Sequence, residues 1–376
     1  MEVFVLSYHV QNRFEKASAV DVIDIEYIEM YTSNAKQSAF YFCKLYGFEI
    51  IGYSGLETGN REKTSYYLQQ GDARLILSAA YSSNHFISDF VNKRGDGVKD
   101  IALLVDDVEE TYRNALLNGG IAIEEPNTVK DEHGEIKRAV LGTFGETIHT
   151  LIEKHNYTGT MLPNFEAVKG KYITPKTGIT RFDHLAICVE QNQEWIEYYE
   201  SVFGFAMSQQ FSKDQVSSQT SSLMTKILQN GTDKVKMTII EPAQGKKKSQ
   251  ITEFLEYNAG AGVQHIALLT SNILETVDNL QMSGTEFLYT PDMYYDMLPD
   301  RVGNIDESID KLHRLKILVD RDDEGYLLQI FARAIQDRPT LFFEIIQRKG
   351  SRGFGNGNIR ALFEAVEREQ ALRGNL

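Results

Sequence analysis

The sequence is poor in cysteine, proline and tryptophan, and it lacks any long apolar run. Its 376 residues include 2 cysteines, 7 prolines and 1 tryptophan. Two cysteines cannot build a disulfide framework, so we expect reduced thiols and a cytoplasmic location. No stretch approaches the roughly 18 consecutive apolar residues of a membrane-spanning helix, and the first residues do not combine a basic segment with a long apolar one. These absences predict a protein without a membrane partner.

Basic residues are also in deficit. The chain has 39 Lys and Arg against 53 Asp and Glu, which gives a formal net charge of −14. This balance opposes a broad interface with nucleic acid, whose phosphates select basic surfaces. An anionic substrate would therefore require a local cation. Hydrophobic residues make up 42% of the chain, which excludes bulk disorder, and the length predicts two or three domains.

The chain contains an internal repeat. The segment GDGVKDIALLVDDVEETYRNALLNGGIAI, which starts at Gly95, closely resembles GAGVQHIALLTSNILETVDNLQMSGTEFL, which starts at Gly260. A second pair of similar segments starts at Asp24 and at Arg181. Each segment has the pattern of a strand, an amphipathic helix and a Gly-marked return, and short β-like runs follow each helix. We therefore predict four βαβββ units.

The repeats also predict the domain organisation. One βαβββ unit is too small to bury its sheet face alone, so units should pair, giving an α+β fold with two open-barrel domains at residues 1–155 and 181–376. Residues 156–180 lose the periodicity and gather Gly, Thr and Pro, which indicates a linker. The Gly-rich segment 351–358 leads into a one-sided apolar helix that belongs to no repeat, and we expect this helix to form a lid.

Three positions change chemical type between the two halves, and in the second half all three are metal-ligand types. A carboxylate in the apolar strand LFFEIIQ is costly unless it is paired or bound to metal. Two imidazoles and one carboxylate form the facial triad typical of non-haem Fe(II) oxygenases, although Mn, Ni or Zn could occupy the same set. We predict a metal site at His184, His265 and Glu344. Their counterparts in the first half, which could not form such a site, are Tyr27, Asp100 and Thr150.

These motifs resemble those of the 4-hydroxyphenylpyruvate dioxygenases and the closely related 4-hydroxymandelate synthases, within the vicinal oxygen chelate fold. The resemblance spans nearly the whole chain and is densest in FDHLAICV, EPAQGKKKSQITEFLEYNAGAGVQHIAL, LLQIFARAIQDRPTLFFEIIQRKG and GFGNGNIRALFEAVE. It implies one Fe(II) per chain, held by His184, His265 and Glu344. It further implies 4-hydroxyphenylpyruvate and O2 as substrates, with no separate 2-oxoglutarate because the substrate carries its own 2-oxo acid. We also expect a homo-oligomer.

The resemblance implies a substrate pocket as well. The glutamines among its residues are the strongest candidates, because amides inside apolar strands need partners and suit a phenol or a carboxylate. The phenylalanines would equally suit an ordinary core. The implied residues are Gln250, Gln264, Gln329, Phe331, Phe342, Phe354, Asn358 and Leu362.

Four positions depart from the pattern of the homogentisate-forming dioxygenases. Thr238 and Ile240 stand where Pro and Asn are usual, Ile359 replaces a Phe, and Thr225 replaces a Ser. The residue types at these four positions resemble those of the 4-hydroxymandelate synthases. Without the carboxamide and the aromatic ring of the usual Asn and Phe, the substrate ring would be able to tilt. Its benzylic hydrogen, and not a ring carbon, would then face the reacting oxygen. We therefore predict 4-hydroxymandelate and CO2 as products. The alternative is homogentisate, formed in tyrosine catabolism, and a remote alternative is a metal- or ligand-binding module without oxygen chemistry.

Overall fold

The computed structural model describes residues 21–168, 172–211, 222–243 and 247–375. Its strands form two sheets, each with helices packed against it. The strands of the first sheet are β1 (Val22–Tyr31), β2 (Glu49–Ser54), β3 (Lys63–Gln70), β4 (Ala73–Ala80), β5 (Gly97–Val105), β6 (Ile121–Asp131), β7 (Gly134–Gly142), β8 (Ile148–Glu153) and β9 (Glu166–Ala167). The helices of this half are α1 (Ala35–Tyr41), which continues as a π-helical turn (Phe42–Tyr46), a 3-10 turn (Leu56–Thr58), α2 (Phe86–Arg94) and α3 (Val108–Leu117).

The second sheet carries the metal-ligand types. Its strands are β10 (Ile179–Cys188), β11 (Ala206–Phe211), β12 (Ser222–Gln229), β13 (Lys236–Ala243), β14 (Gly262–Thr270), β15 (Leu318–Arg321), β16 (Tyr326–Phe331) and β17 (Phe342–Lys349). The helices of this half are α4 (Asn192–Val202), α5 (Gln250–Tyr257), α6 (Ile273–Met282), α7 (Met293–Asp296), α8 (Leu298–Val302), α9 (Ile309–Leu315) and α10 (Asn356–Leu372). None of the helices in the described ranges combines the length and the apolar character needed to cross a membrane.

Apart from the additional edge strand β9, the two sheets have corresponding strand orders when one of them is read from its opposite end, and the predicted α+β fold with four βαβββ units is confirmed. The first sheet has the order β6-β7-β8-β5-β1-β4-β3-β2-β9, and the second has β11-β12-β13-β10-β14-β17-β16-β15. In each sheet a central strand pairs antiparallel with one neighbour (β1 with β5, β10 with β14) and parallel with the other (β1 with β4, β10 with β13). Two units therefore meet in the middle of each sheet.

Equivalent caps start equivalent helices. Asp107 accepts a hydrogen bond from the backbone N–H of Glu110 at the start of α3 (2.8 Å). Asn272, at the corresponding position of the second half, accepts one from Glu275 at the start of α6 (3.3 Å). Short polar side chains at this position satisfy backbone donors that the first helical turn leaves unpaired. The repeat in sequence is thus a repeat of local structure.

The predicted linker, residues 156–180, contains regular structure. Strand β9 lies within it and extends the edge of the first sheet by pairing with β2, and β10 begins at Ile179. Apolar side chains of this segment, including Met161 and Phe165, pack against a buried cluster of the first half. These apolar residues anchor a segment whose Gly, Thr and Pro content is typical of a loop. The domain limits given above stay predictions.

The end of helix α2 connects the two halves. The guanidinium of Arg94, a residue that is only 4% exposed, donates to the backbone carbonyls of Asn258 (3.0 Å) and Ala261 (3.1 Å). The side chain of Gln336 exchanges two hydrogen bonds with the backbone of Asp96 (2.9 and 2.6 Å). Ala261 directly precedes β14, and Gln336 lies shortly before β17. The first half therefore holds the segments from which two strands of the second sheet start.

Candidate metal centre and substrate pocket

Three neighbouring strands of the second sheet bring the predicted ligands to one face. His184 on β10 lies opposite Ala267 on β14, and Ala267 lies opposite Glu344 on β17. His265 is two residues from Ala267 along β14, so its side chain points to the same face. One ligand atom from each of the three side chains lies within 4.8 Å of the others. The fold therefore gathers residues that are far apart in sequence into one cluster.

The cluster fits a divalent cation. Oε2 of Glu344 lies 3.3 Å from Nε2 of His184 and 3.5 Å from Nε2 of His265. Donor atoms bound at right angles at about 2.1 Å from a metal ion would be about 3.0 Å apart, so only small shifts are needed. All three side chains are buried, and the exposed fraction of Glu344 is 2%. A facial set of two imidazoles and one carboxylate that leaves further positions open is suited to Fe(II).

The electrostatics of the cluster favour a positive charge. Burial lowers the pKa of His184, but the carboxylates of Glu344 and Asp183 outweigh burial and raise it to about 9. Burial, together with the charge on His184, holds the pKa of His265 well below its ordinary value. The arrangement therefore favours one cationic charge beside a buried carboxylate, and a bound metal ion would supply such a charge.

An ion pair with a buried carboxylate supports His184 on the side away from Glu344. Oδ2 of Asp183 accepts a hydrogen bond from Nδ1 of His184 (2.8 Å), and Arg348 donates to both carboxylate oxygens of Asp183 (2.8 and 2.7 Å). Burial raises the pKa of Asp183, but Arg348 outweighs it and holds this pKa well below its ordinary value. An ionised Asp183 keeps the proton on Nδ1 and leaves Nε2 free to face Glu344. No pattern in the sequence indicates this pair, whose members are 165 residues apart.

A cavity opens beside the three ligands. It has an empty volume of about 630 Å³, counting the space open to solvent. Every predicted pocket residue except Asn358 lines it. These residues are Thr225, Thr238, Ile240, Gln250, Gln264, Gln329, Phe331, Phe342, Phe354, Ile359 and Leu362.

Asn358 is not among the lining residues. Its side-chain oxygen accepts hydrogen bonds from the hydroxyl of Tyr294 (2.7 Å) and from Arg301 (3.1 Å). Both partners lie on the short helices α7 and α8, which the repeat pattern does not contain. Asn358 therefore ties the first turn of α10 to these helices, a role that the sequence did not indicate.

Three further residues line the cavity and were missed from the sequence: Ile227, Ile251 and Phe363. A signal existed for the first of them. Strand residues two apart share a face, so a strand that points Thr225 into the pocket also points Ile227 there. No comparable pattern distinguished Phe363 from the other apolar residues of the final helix.

Unpaired polar atoms lie around the cavity. Among the described residues, Oγ1 of Thr238, Oε1 of Gln250 and Oε1 of Gln329 are buried and have no hydrogen-bond partner. Leaving such an atom unpaired costs about 1–3 kcal/mol. All three residues line the cavity. The pocket is therefore arranged for a ligand that offers polar groups to an otherwise apolar wall.

The final helix closes one side of the pocket. Phe354, Ile359 and Phe363 belong to a single apolar cluster with Ile240 and Phe254. The segment that precedes and starts α10 thus packs onto strand β13 and helix α5. This packing agrees with the lid expected for this helix, because it places apolar groups between the cavity and solvent.

The equivalent positions in the first half form a closed hydrogen-bonded group. The hydroxyls of Tyr27 and Thr150 both donate to Oδ2 of Asp100 (3.0 and 2.5 Å), and the backbone N–H of Thr150 donates to Oδ1 (3.0 Å). All three residues are buried. The carboxylate is already satisfied by protein donors, and the group offers no imidazole ligand. We propose that this half binds no catalytic metal.

We expect Asp100→Asn to make unfolding less sensitive to pH. Burial raises the pKa of Asp100 to about 6, although hydrogen bonds from Thr150 and Tyr27 oppose the rise. An Asp side chain in the unfolded chain has a pKa near 3.9. The protonated carboxyl group of Asp100 therefore stabilises the native state at low pH, and this stabilisation is lost as the pH rises from about 4 to 6. Relative to wild type, the variant should therefore gain about 2–3 kcal/mol of unfolding free energy between pH 4 and pH 8. Urea unfolding at both pH values measures this difference, and parallel pH profiles of the two proteins would contradict it.

Several known proteins are similar to this chain over most of its length. The model of the glyoxalase/bleomycin resistance protein/dioxygenase superfamily matches residues 24–150 and 181–330. A 4-hydroxyphenylpyruvate dioxygenase of Coccidioides posadasii is 42% identical over 93% of this chain and 94% of its own length, and one of Danio rerio is 40% identical over 96% and 94%. The solved structure of a mutant 4-hydroxymandelate synthase from Streptomyces coelicolor is 31% identical, with a TM-score of 0.84 over 93% of this chain and 99% of that one.

Proposed function

Because the chain belongs to the 4-hydroxyphenylpyruvate dioxygenase family of the glyoxalase/bleomycin resistance protein/dioxygenase superfamily, we propose that it is an Fe(II)-dependent dioxygenase of 4-hydroxyphenylpyruvate. The proposal rests on one observation above all, the cluster of His184, His265 and Glu344 beside a largely apolar cavity. Fe(II) held there, one ion per chain, would supply the redox chemistry with O2 and bind the substrate's own 2-oxo acid, so no separate 2-oxoglutarate is needed.

The protein's own contribution is to orient the substrate and exclude water. Asp183 fixes the imidazole of His184. The ring of His265 stacks on Phe342 at 4.9 Å and lies 6.1 Å from Phe331, so aromatic surfaces flank the ligands where an aryl group would lie. The packing of α10 over the cavity keeps the reacting groups away from solvent.

We expect Gln250→Leu and Gln329→Leu each to raise KM for 4-hydroxyphenylpyruvate by about 3- to 10-fold, the value of one lost neutral hydrogen bond. Each substitution also removes a buried unpaired oxygen, so the substrate-free variants should unfold at equal or higher urea concentration than wild type. Gln70→Leu is the control for KM, because Gln70 also has a buried unpaired oxygen but lies in the first half, where its Nε2 donates to the hydroxyl of Thr177 (2.6 Å). Steady-state kinetics with unchanged KM in both pocket variants would contradict the role.

The names of the relatives favour homogentisate as the product. The relatives from Coccidioides posadasii and Danio rerio, at about 40% identity, are called 4-hydroxyphenylpyruvate dioxygenases, whereas the 4-hydroxymandelate synthase is 31% identical. Ring hydroxylation therefore has better support from the comparisons than the benzylic hydroxylation expected from the sequence. Homogentisate is the first candidate product.

The lining of the pocket favours 4-hydroxymandelate as the second candidate. Thr238, Ile240 and Ile359 all line the cavity. Ile240 and Ile359 contribute aliphatic carbon where the resemblance leads one to expect a carboxamide and an aromatic ring. Neither can hydrogen-bond or stack on the substrate ring, so the constraint that would hold a ring carbon in the reactive position is weaker.

One incubation tests the proposal as a whole. Protein, Fe(II), ascorbate, 4-hydroxyphenylpyruvate and air should give uptake of one O2 and release of one CO2 for each product molecule. Under anaerobic conditions, substrate and Fe(II) should give a weak visible charge-transfer band if the 2-oxo acid binds the ion. Absence of both signals would favour a binding module of the same fold.

We further propose that the protein is cytoplasmic and forms a homo-oligomer. Cys43 and Cys188 are both free and buried, which supports a reducing compartment. Size-exclusion chromatography with light scattering tests the oligomeric state.

A further inference from the structure

We propose that Arg348 is a positioning residue that couples the loop leading into the lid helix to the metal ligand His184. The inference rests on the metal site of the proposed function, but not on the identity of the product. Arg348 lies on β17, four residues after Glu344, and 13% of its side chain is exposed. Its side chain reaches two structures at once, the ion pair beside His184 and the loop of residues 351–355 that precedes α10.

The contacts of Arg348 define the link. Its Nε and Nη2 donate to the two oxygens of Asp183, whose side chain is fully buried and accepts from Nδ1 of His184. Its Nη1 donates to the backbone carbonyl of Gly353 (2.6 Å) and, at 3.4 Å, to that of Ser351. One planar guanidinium thus joins the carboxylate that orients a metal ligand to the backbone of the loop.

Phe354 makes a second, parallel contact between the same two structures. Its ring lies edge-on to the imidazole of His184, with 5.1 Å between centroids. The guanidinium carbon of Arg348 lies 5.2 Å from the centroid of the Phe354 ring, within cation–π range. A displacement of the loop would therefore remove the ring from His184 and an acceptor from Arg348 in the same movement.

The opposite side of the loop is held by Asp322. This carboxylate accepts from the backbone N–H of Gly353 (2.9 Å) and from the hydroxyl of Ser351 (2.5 Å). Glycines with positive φ lie at both ends of the loop, Gly350 (+89°) just before it and Gly355 (+74°) as its last residue. A Cβ at Gly355 would lie 2.3 Å from Oε1 of Gln329, so the loop also runs directly against a pocket residue. The loop is therefore held by contacts on both sides, and Arg348 and Phe354 connect it to the metal ligand.

Only arginine suits this position. Its rigid fork offers parallel donors to a carboxylate while another nitrogen donates elsewhere, whereas lysine is a single point charge. Arg348→Lys would preserve charge compensation for buried Asp183 but could not serve both partners in this geometry. A merely structural salt bridge would tolerate this change better than a positioning link. By thermodynamic reciprocity, a link also requires that metal binding protect the loop and that loss of the loop contact weaken metal binding.

The test measures metal binding and loop protection without turnover. Hydrogen–deuterium exchange of peptides covering residues 351–372 is followed in chelator-treated full-length protein and after addition of Zn(II), and the Kd for Zn(II) is measured by competition with a chromophoric chelator. In wild type, Zn(II) should slow exchange in the loop about 10-fold. In Arg348→Lys this slowing should disappear, and Kd should rise by about 10- to 100-fold, the usual effect of losing a partner of a ligating histidine.

A neighbouring arginine provides the matched control. Arg352 belongs to the same loop, but its side chain is exposed and lies 3.8 Å from Glu324, away from the ligands. Arg352→Lys should behave as wild type. If Arg348→Lys fails to fold, Asp183→Asn tests the link from its other end, with the same loss expected. Wild-type loop protection and Kd in either folded variant would overturn the inference, as would a wild-type loop that ignores bound Zn(II). Failure of wild type to bind metal would overturn the proposed function itself.

Discussion

Glu344→Gln should lower turnover of 4-hydroxyphenylpyruvate by at least about 10³-fold, which corresponds to about 4 kcal/mol of transition-state stabilisation. The amide keeps the shape of the side chain but removes the charge that neutralises the metal ion, so the fold should persist while metal affinity falls. His265→Ala should have the same effect, because it removes a second ligand from the same face. Metal analysis of purified protein, together with O2 uptake, measures both losses.

His149→Ala is the control for the loss of a buried histidine. His149 lies in the first half and is also fully buried, with Nδ1 2.8 Å from the carbonyl of Ile101 and Nε2 2.7 Å from the hydroxyl of Tyr199. Burial lowers its pKa to about 4, so it is neutral and structural. This variant should lose stability but keep its metal content. If His265→Ala retained near-normal metal and rate, the ligand assignment would be wrong.

The double variant Ile240→Asn with Ile359→Phe should lower the ratio of 4-hydroxymandelate to homogentisate at least 10-fold. Asn returns a hydrogen-bonding group and Phe returns a stacking surface beside the substrate ring, and both positions line the cavity. A shift of about an ångström in the ring is enough to change which atom reacts. Liquid chromatography with mass detection separates the products by retention, since they are isomers of equal mass.

The same measurement on wild type decides between the two candidate products. A double variant with Leu at positions 240 and 359 is the matched control, because aliphatic exchange of similar volume should leave the ratio unchanged. Wild type that forms homogentisate alone would remove 4-hydroxymandelate from consideration and leave the metal site and the substrate class intact. If Ile240→Asn with Ile359→Phe left the ratio of 4-hydroxymandelate to homogentisate unchanged, these two positions would not control the product.

Comparison of the duplicated halves could predict the ligand cluster because the fold repeats. His184, His265 and Glu344 were found as three changes of chemical type at equivalent positions, and the corresponding order of the eight shared strands places equivalent positions in equivalent surroundings. The packing of α10 also followed from its one-sided apolar pattern. These features depend on local sequence and on the repeat, and both are visible in one chain.

Contacts outside the repeat could not be predicted in this way. The partners of Asn358 lie on α7 and α8, helices that interrupt the fourth unit. The pairing of Arg348 with Asp183 joins strands that are neither consecutive nor adjacent, since β14 lies between β10 and β17. No periodicity identifies which of 39 basic residues meets which of 53 acidic ones. Such pairs form only when the strands assemble into the sheet.

The hydrogen bonds of Arg94 and Gln336 have a consequence for how the two copies can diverge. The first half has no imidazole at the positions equivalent to the ligands, but the end of its helix α2 contacts the segment four residues before His265. The first half therefore contacts the second through its shape and its hydrogen bonds, and these contacts need no ligand chemistry of its own. Cutting the chain between the copies would turn an intramolecular contact into one that depends on protein concentration. Covalent linkage therefore keeps this contact intramolecular, whereas two separate chains would have to associate tightly to maintain it.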